Sequence, residues 1–344
     1  MTITSVSSNI RRVEWWRNAC RLATREESMN RQIGPLVLAA LMLVATGCGG
    51  RAARDHEADH AAMASTPPVQ VNWTAVEQAM GRTGAMQPGD VYKFGLPRGD
   101  LTVAIDRIRL KPALALGSWV AFKATSFGAI VMGDLVLRDD EIAPVMARLA
   151  EGGIEVTALH HHVLHETPRV YYMHIYGAGD AVKLAQAIHA AAGLTRTPPP
   201  PASTAAPTAT PLGIDTARIA QALGHSGKVN GGVYQVSVAR PDTIRDEGLM
   251  IPPAMGVATA LNFQPTGGGN AAITGDFVLR AAEVNPVLRA LRAHGIEVTA
   301  VHNHMLDEEP RLFFMHFWAM GDGVRLAEGL RAALDLVGGA RLTP

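Results

Sequence analysis

His160, His162, Glu166 and His174 return 142 positions later as His302, His304, Glu308 and His316. Three neutral imidazoles with a carboxylate suit zinc, copper, iron or nickel, and a three-histidine site keeps a position open for water or substrate. The six histidines are therefore the expected metal ligands, with a divalent transition metal such as zinc or copper as cofactor. Glu166 and Glu308 are then fourth ligands or a general base. Arg169 and Arg311, each after a proline, either hold an anionic ligand nearby or pair with Glu166 and Glu308. A metal-free polar pocket and a structural role, with the histidines bonded to backbone, are the competing uses. Other chemistries lack their residues. The folded repeats contain no cysteine and no serine in a nucleophile elbow, and the glycines at 267–269 lack the Lys-Ser/Thr pair and helix of a phosphate loop.

These side chains must be aimed by strands. Alternate residues of a strand share a face, which groups Val298, Ala300, His302, His304 and Leu306 and turns Asn303 (His161 in the first copy) the other way. Pairing Leu306 with Leu312 across a five-residue loop would set His302 opposite His316 and His304 opposite Phe314, and likewise His160 opposite His174. Each copy also reads as a short first helix ended by glycine, several strands, and a helix from about Glu141 or Glu283 with Pro144 or Pro286 in its first turn. The histidine strands follow, and then a last helix capped by Asp180 or Asp322. Asp134 and Asp276 fall in a Gly-Asp pair inside a strand. Strands with helices on one face make an α+β fold: two tandem homologous α/β sandwiches, ferredoxin-like with additional strands, able to join as a pseudo-dimer.

Residues 133–191 and 275–333 align without a gap and are identical at about half their positions, the mark of a duplicated domain. The copies are placed at 73–194 and 213–344, with a Pro-rich linker at 195–212 that can form neither helix nor ladder. A chain of 344 residues that is 48% hydrophobic can fill two modest cores. Its formal charge of zero gives no long-range pull toward nucleic acid, which is excluded as a partner. Cys20 and Cys48 both precede the repeats, so no disulfide framework holds them.

Residues 35–48, PLVLAALMLVATGC, form an apolar run with small residues before a cysteine, too short to span a bilayer comfortably. The expectation is a signal peptide over 1–47, with translation starting at Met29, a lipidated Cys48, and a solvated tether over 48–72.

The doubled GDFVL block, GIEVTAVHNHML, EPRLFFMHFWAMGD and LAEGLRAALD, behind a lipobox-like ATGC, resemble the LppY/LpqO-like bacterial lipoproteins, a family defined as a domain of unknown function. The resemblance spans nearly all of residues 73–336. It implies a lipid-anchored, extracytoplasmic protein, periplasmic or at the cell surface, without an assigned activity. The expected function is binding of a divalent metal or small ligand by a histidine cluster in each copy, with hydrolysis by one of them. The alternative is a noncatalytic envelope module that holds peptidoglycan or a partner protein near the membrane. Catalysis calls for a concave, partly exposed cluster; a noncatalytic module calls for sealed histidines and a broad exposed aromatic surface.

Overall fold

A computed structural model describes residues 67–199 and 212–338. The expected signal peptide, Cys48, most of the tether and most of the linker lie outside the described residues. Both copies belong to one compact unit. The first runs α1 (Trp73–Met80), β1 (Ala85–Gln87), β2 (Val91–Pro97), β3 (Ala104–Ile105), β4 (Ile108–Arg109), α2 (Pro112–Ala115), β5 (Gly117–Thr125), β6 (Gly128–Leu137), α3 (Asp139–Glu151), β7 (Glu155–His160), β8 (Glu166–Thr167), β9 (Tyr171–Gly179) and α4 (Ala181–Ala192). The second runs α5 (Thr216–Leu223), β10 (Lys228–Asn230), β11 (Val233–Ala239), β12 (Arg245–Asp246), β13 (Leu249–Met250), a 3-10 turn at Pro253–Met255, β14 (Ala258–Gly267), β15 (Asn270–Leu279), α6 (Ala281–Ala293), β16 (Glu297–His302), β17 (Glu308–Glu309), β18 (Phe313–Asp322) and α7 (Gly323–Leu334). Among the described residues no helix is long and apolar enough to cross a membrane.

Each copy is an α+β domain with a six-stranded antiparallel sheet, ordered β1-β2-β5-β6-β9-β7 and β10-β11-β14-β15-β18-β16. β6, α3 and β7 form a split crossover with β9 between the two strands, which is the ferredoxin-like element expected. Asp180, Asp215 and Asp322 cap their helices through side-chain acceptors, and Asn72 caps α1. The α3 helix starts two residues earlier than expected, which puts Pro144 in its second turn. The run LTVAIDRIRL, strand-like in its apolar pattern, is the tight β3–β4 hairpin, because Asp106 turns the chain at φ 51°.

One face of each sheet carries the helices. Val131, Leu135, Met173 and Ile175 pack there with Leu149 and Ile188, and the second copy repeats this with Ile273, Phe277, Met315 and Phe317. The other face meets the opposite copy. Ile130, Met132 and Tyr176 share a core with Ile251, Met255 and Phe314, and Val136 and Tyr172 share one with Ala272 and Trp318. The central strands β6 and β15 are buried on both faces, which explains their unbroken apolar runs.

The histidine strands depart from simple alternation. Val156 pairs with Ile175 on the helix face, yet Ala158 pairs with His174 and His160 with Tyr172 on the face toward the other copy. Thr157 is the extra residue of a β-bulge, and Thr299 repeats it between Val298 and Ala300. The bulge inverts the alternation, so Val298 does not share a face with Ala300 and His302. The expected register is corrected too. His302 lies opposite Phe314, and Ala300 lies opposite His316. No five-residue hairpin closes this pair, because β17 leaves to join β12 and β13 in a separate small sheet.

Candidate metal centre

The inverted strands bring both histidine triplets to the boundary between the copies. The His160 and His302 rings stack at 3.5 Å between centroids, His162 on His316 at 3.8 Å, and His174 on His304 at 3.7 Å. Tyr172 covers the far face of His162 and Phe314 that of His304. The sequence reading placed a cluster in each copy; in the structure the two clusters are contiguous.

Backbone carbonyls orient the rings. Nδ1 of His160 donates to the His161 carbonyl at 3.2 Å, Nδ1 of His302 to that of Asn303 at 3.0 Å, and Nδ1 of His316 to that of Gly275 at 2.8 Å. A carbonyl can only accept, so the proton is on Nδ1 and Nε2 is left as a lone pair. All six Nε2 atoms are buried without a hydrogen-bond partner. Burial, the largest cause, pushes His160 down to about 3 and His302 to about 4, and holds the other four well below the usual imidazole range. At neutral pH all six rings are neutral, as metal ligands must be.

The recurring Gly-Asp pair completes the arrangement. A Cβ on Gly133 would sit 2.7 Å from Val120 Cγ1, and one on Gly275 would strike the Ala260 carbonyl oxygen, so only glycine fits there. The next residue turns its carboxylate to the histidines: Asp134 Oδ2 lies 3.6 Å from His162 Nε2, and Asp276 Oδ2 lies 3.4 Å from His304 Nε2. Burial raises Asp134 to about 8 and Asp276 well above the carboxylate range. A bound cation would offset that burial and ionise them.

In four overlapping sets, one ligand atom from each member lies within 4.8 Å of every other: Asp276, His302, His304 and His316; Asp134, His162 and His174; His160, His162 and His316; His160, His174, His302 and His304. The second set is the counterpart of the first without His160, the equivalent of His302, and the last two sets cross between copies. His162 and His304 never share a set.

Glu166 and Glu308 belong to none of these sets. They lie on β8 and β17 in the small sheets, where Glu308 accepts from the Leu312 amide at 2.8 Å and from Arg311 at 3.2 Å. Arg169 Nε is 3.8 Å from Glu166. The arginines thus pair with the glutamates, the second of the two arrangements expected for them, and none of these four residues lines the cavity described next.

Above the histidines lies a cavity of about 1140 Å³, walled by both copies. His162, His174, His304, His316, Asp134 and Asp276 line it. Tyr172, Trp119, Lys93, Gln235 and Asn262 also face it. The Arg98–Glu141 and Arg240–Glu283 pairs, each at 2.7 Å and each joined by an aspartate two residues after the arginine, lock the β6–α3 and β15–α6 corners. Sequence reasoning passed over these arginines, although both sets recur at the offset of 142.

The family model described as Domain of Unknown Function (DUF1259) matches residues 74–193 and again 217–336. No curated protein matches the chain. Among solved structures, a trimeric bacterial microcompartment shell protein, PduB, is 14% identical, with 74% of this chain and 90% of that one covered and a TM-score of 0.19. EtuB from Clostridium kluyveri is 10% identical, with 76% and 97% covered and a TM-score of 0.18. Likenesses this weak support no conclusion.

Proposed function

The chain belongs to that family of unknown function, carrying its domain twice, and we propose that the two copies together build one binuclear centre for divalent transition metal ions, zinc or copper foremost, at the floor of a ligand cavity. The observation that carries this reading is the convergence of six buried Nε2 atoms without a hydrogen-bond partner, three of them left as lone pairs by the Nδ1 bonds to carbonyls. A buried polar atom without a partner costs about 1–3 kcal/mol, and six such atoms beside two buried acids would be a heavy burden for packing alone. The set Asp276, His302, His304 and His316 forms one half, and Asp134, His162 and His174 with neighbouring His160 form its duplicate. Because His162 and His304 share no set, a single ion does not account for the whole cluster.

Such ions supply Lewis acidity and lower the pKa of bound water, the usual basis of hydrolysis at neutral pH. The chain's own residues hold His160, His302 and His316 in one tautomer, supply two carboxylates, and shield the floor with Tyr172 and Phe314. Substrate would enter from the cavity that His162, His174, His304 and His316 line. The noncatalytic envelope module finds less support, since Phe127 is the only exposed aromatic among the described residues. The apolar run and ATGC at residues 35–48 support placing the protein outside the cytoplasm, held to a bacterial membrane by lipid on Cys48.

The test is metal analysis by mass spectrometry of the full chain and of a His302→Ala/His304→Ala variant. About two equivalents of one transition metal are expected in the parent, with a clear loss in the variant. A parent that neither carries metal nor takes up zinc or copper near neutral pH would overturn the reading and direct attention to peptidoglycan binding.

A further inference from the structure

The cavity is unequal at its two ends, although the chain that walls it is duplicated. Lys93 on β2 is the counterpart of Gln235 on β11, 142 positions apart. Both side chains reach into the opposite copy in the same way: Lys93 Nζ donates to the Ala254 carbonyl at 3.0 Å, and Gln235 Nε2 to the Ala113 carbonyl at 2.8 Å. At this pair of positions one copy therefore offers a cation and the other a neutral amide, while Lys228, cross-strand from Gln235, is a second cation lining the cavity. Beside Lys93 the difference widens. Trp119 pairs with Asp134 in the first sheet and Ala260 with Asp276 in the second, so an indole stands where the other copy has a methyl group. The ammonium lies over that indole, 3.9 Å from the ring centroid.

Lys93 makes no ion pair within 4.0 Å among the described residues; its direct contacts are one carbonyl and one ring, and the Asp134 carboxyl and the Lys228 ammonium act on it from farther away. With one N–H on the carbonyl and another facing the ring, one of its three N–H groups is uncommitted. Apart from the histidines, the charged side chains lining the cavity are Lys93, Lys228, Asp134 and Asp276. Once a bound cation ionises the two acids, the two lysines balance them, and the ion's own charge leaves the cavity positive. Its size suits a small organic molecule.

We propose that this cavity binds an organic anion, carrying a carboxylate or a phosphate-like group, with the charged group between Lys93 and the metal centre and an apolar body against Trp119. The proposal rests on the metal reading for part of the positive charge and on Lys93 for the rest, so the two can fail separately.

The test is calorimetric titration of the metal-loaded full chain with phenylphosphonate, phenylacetate and the neutral dimethyl phenylphosphonate. Lys93→Gln is titrated alongside, and metal content is measured on every sample. The second copy carries glutamine at this position, so the variant has a native precedent for folding. At least one anion should bind, the neutral ester should bind at least about tenfold more weakly, and Lys93→Gln should weaken the anion by about tenfold at unchanged metal content. Phenylphosphonate or phenylacetate as the tighter ligand distinguishes phosphate-like from carboxylate substrates. The proposal is overturned if neither anion binds, if the ester binds equally well, or if Lys93→Gln binds like the parent. It is also overturned if the variant cannot be loaded with metal, because Lys93 would then support the ligands instead. A metal-free parent that still binds an anion through Lys93 would remove the metal centre and keep the anion site.

Discussion

Thr157 donates its hydroxyl to the carbonyl oxygen of His304, 2.6 Å away in the other copy. Thr299 returns the contact to the carbonyl of His162 at 2.5 Å. The bulge residue that turns one histidine strand toward the boundary thus also holds the His-x-His segment of its neighbour. Replacing Thr157 by Val keeps the shape and leaves the His304 carbonyl without that donor. The expected cost is about 1–3 kcal/mol of stability and about tenfold in metal affinity, as for other residues that orient ligands. Chemical denaturation and a chelator competition read the two effects, and an unchanged metal affinity would show that the bond does not position the site.

Asp276→Asn separates the two halves of the centre. The variant should fall from about two equivalents of metal to about one, and the Asp134→Asn/Asp276→Asn pair should hold still less. Metal analysis of the three proteins decides it. Two full equivalents in Asp276→Asn would remove the aspartates from the ligand set.

Glu308→Gln should leave the metal count unchanged, because Glu308 answers the Leu312 amide and Arg311 away from the histidines. The glutamine still offers an oxygen to that amide, so the change should appear only as a small drop in thermal midpoint. Loss of metal in this variant would return Glu308 to the site.

The metal-free protein should lose stability in acid. The histidines have folded values below the ordinary one near 6.5, with His160 at about 3 and His302 at about 4. Their contribution is complete above about 6.5 and is lost as the pH falls toward those values, because the unfolded chain takes up the protons first. Asp134, raised to about 8, and Asp276, also raised, act in the opposite sense: their contribution fades as the pH rises above the ordinary carboxylate value. Six groups against two settle the sign. Calorimetry of the metal-free chain should show a midpoint that drops from pH 6.5 to 4. A midpoint flat over that range would mean that the rings are not buried as neutral bases.

The histidines were legible because the duplication copied them at one offset, and the caps of the last helices because Asp180 and Asp322 precede apolar periodicity. The direction in which His160 and His302 point was not legible. One unpaired threonine reverses the alternation, and nothing in the letters Glu-Val-Thr-Ala marks it as a bulge. The meeting of the two triplets was equally hidden, since it depends on how the sheets face each other. Asp134 and Asp276 were visible as a repeated Gly-Asp pair, but their importance lies in a carboxylate buried against imidazoles. Glu166 and Glu308 looked like ligands by spacing alone, until β8 and β17 carried them into other sheets.

Two identical subunits meeting across the same boundary would form a palindromic cavity, gaining or losing a lysine and an indole only in pairs. Here one polypeptide supplies both halves, so a mutation changes one wall alone, as Lys93 against Gln235 and Trp119 against Ala260 show. Fusion lets the floor stay paired while the mouth acquires a head and a tail. A molecule entering it meets a direction, even though the gene was assembled by copying.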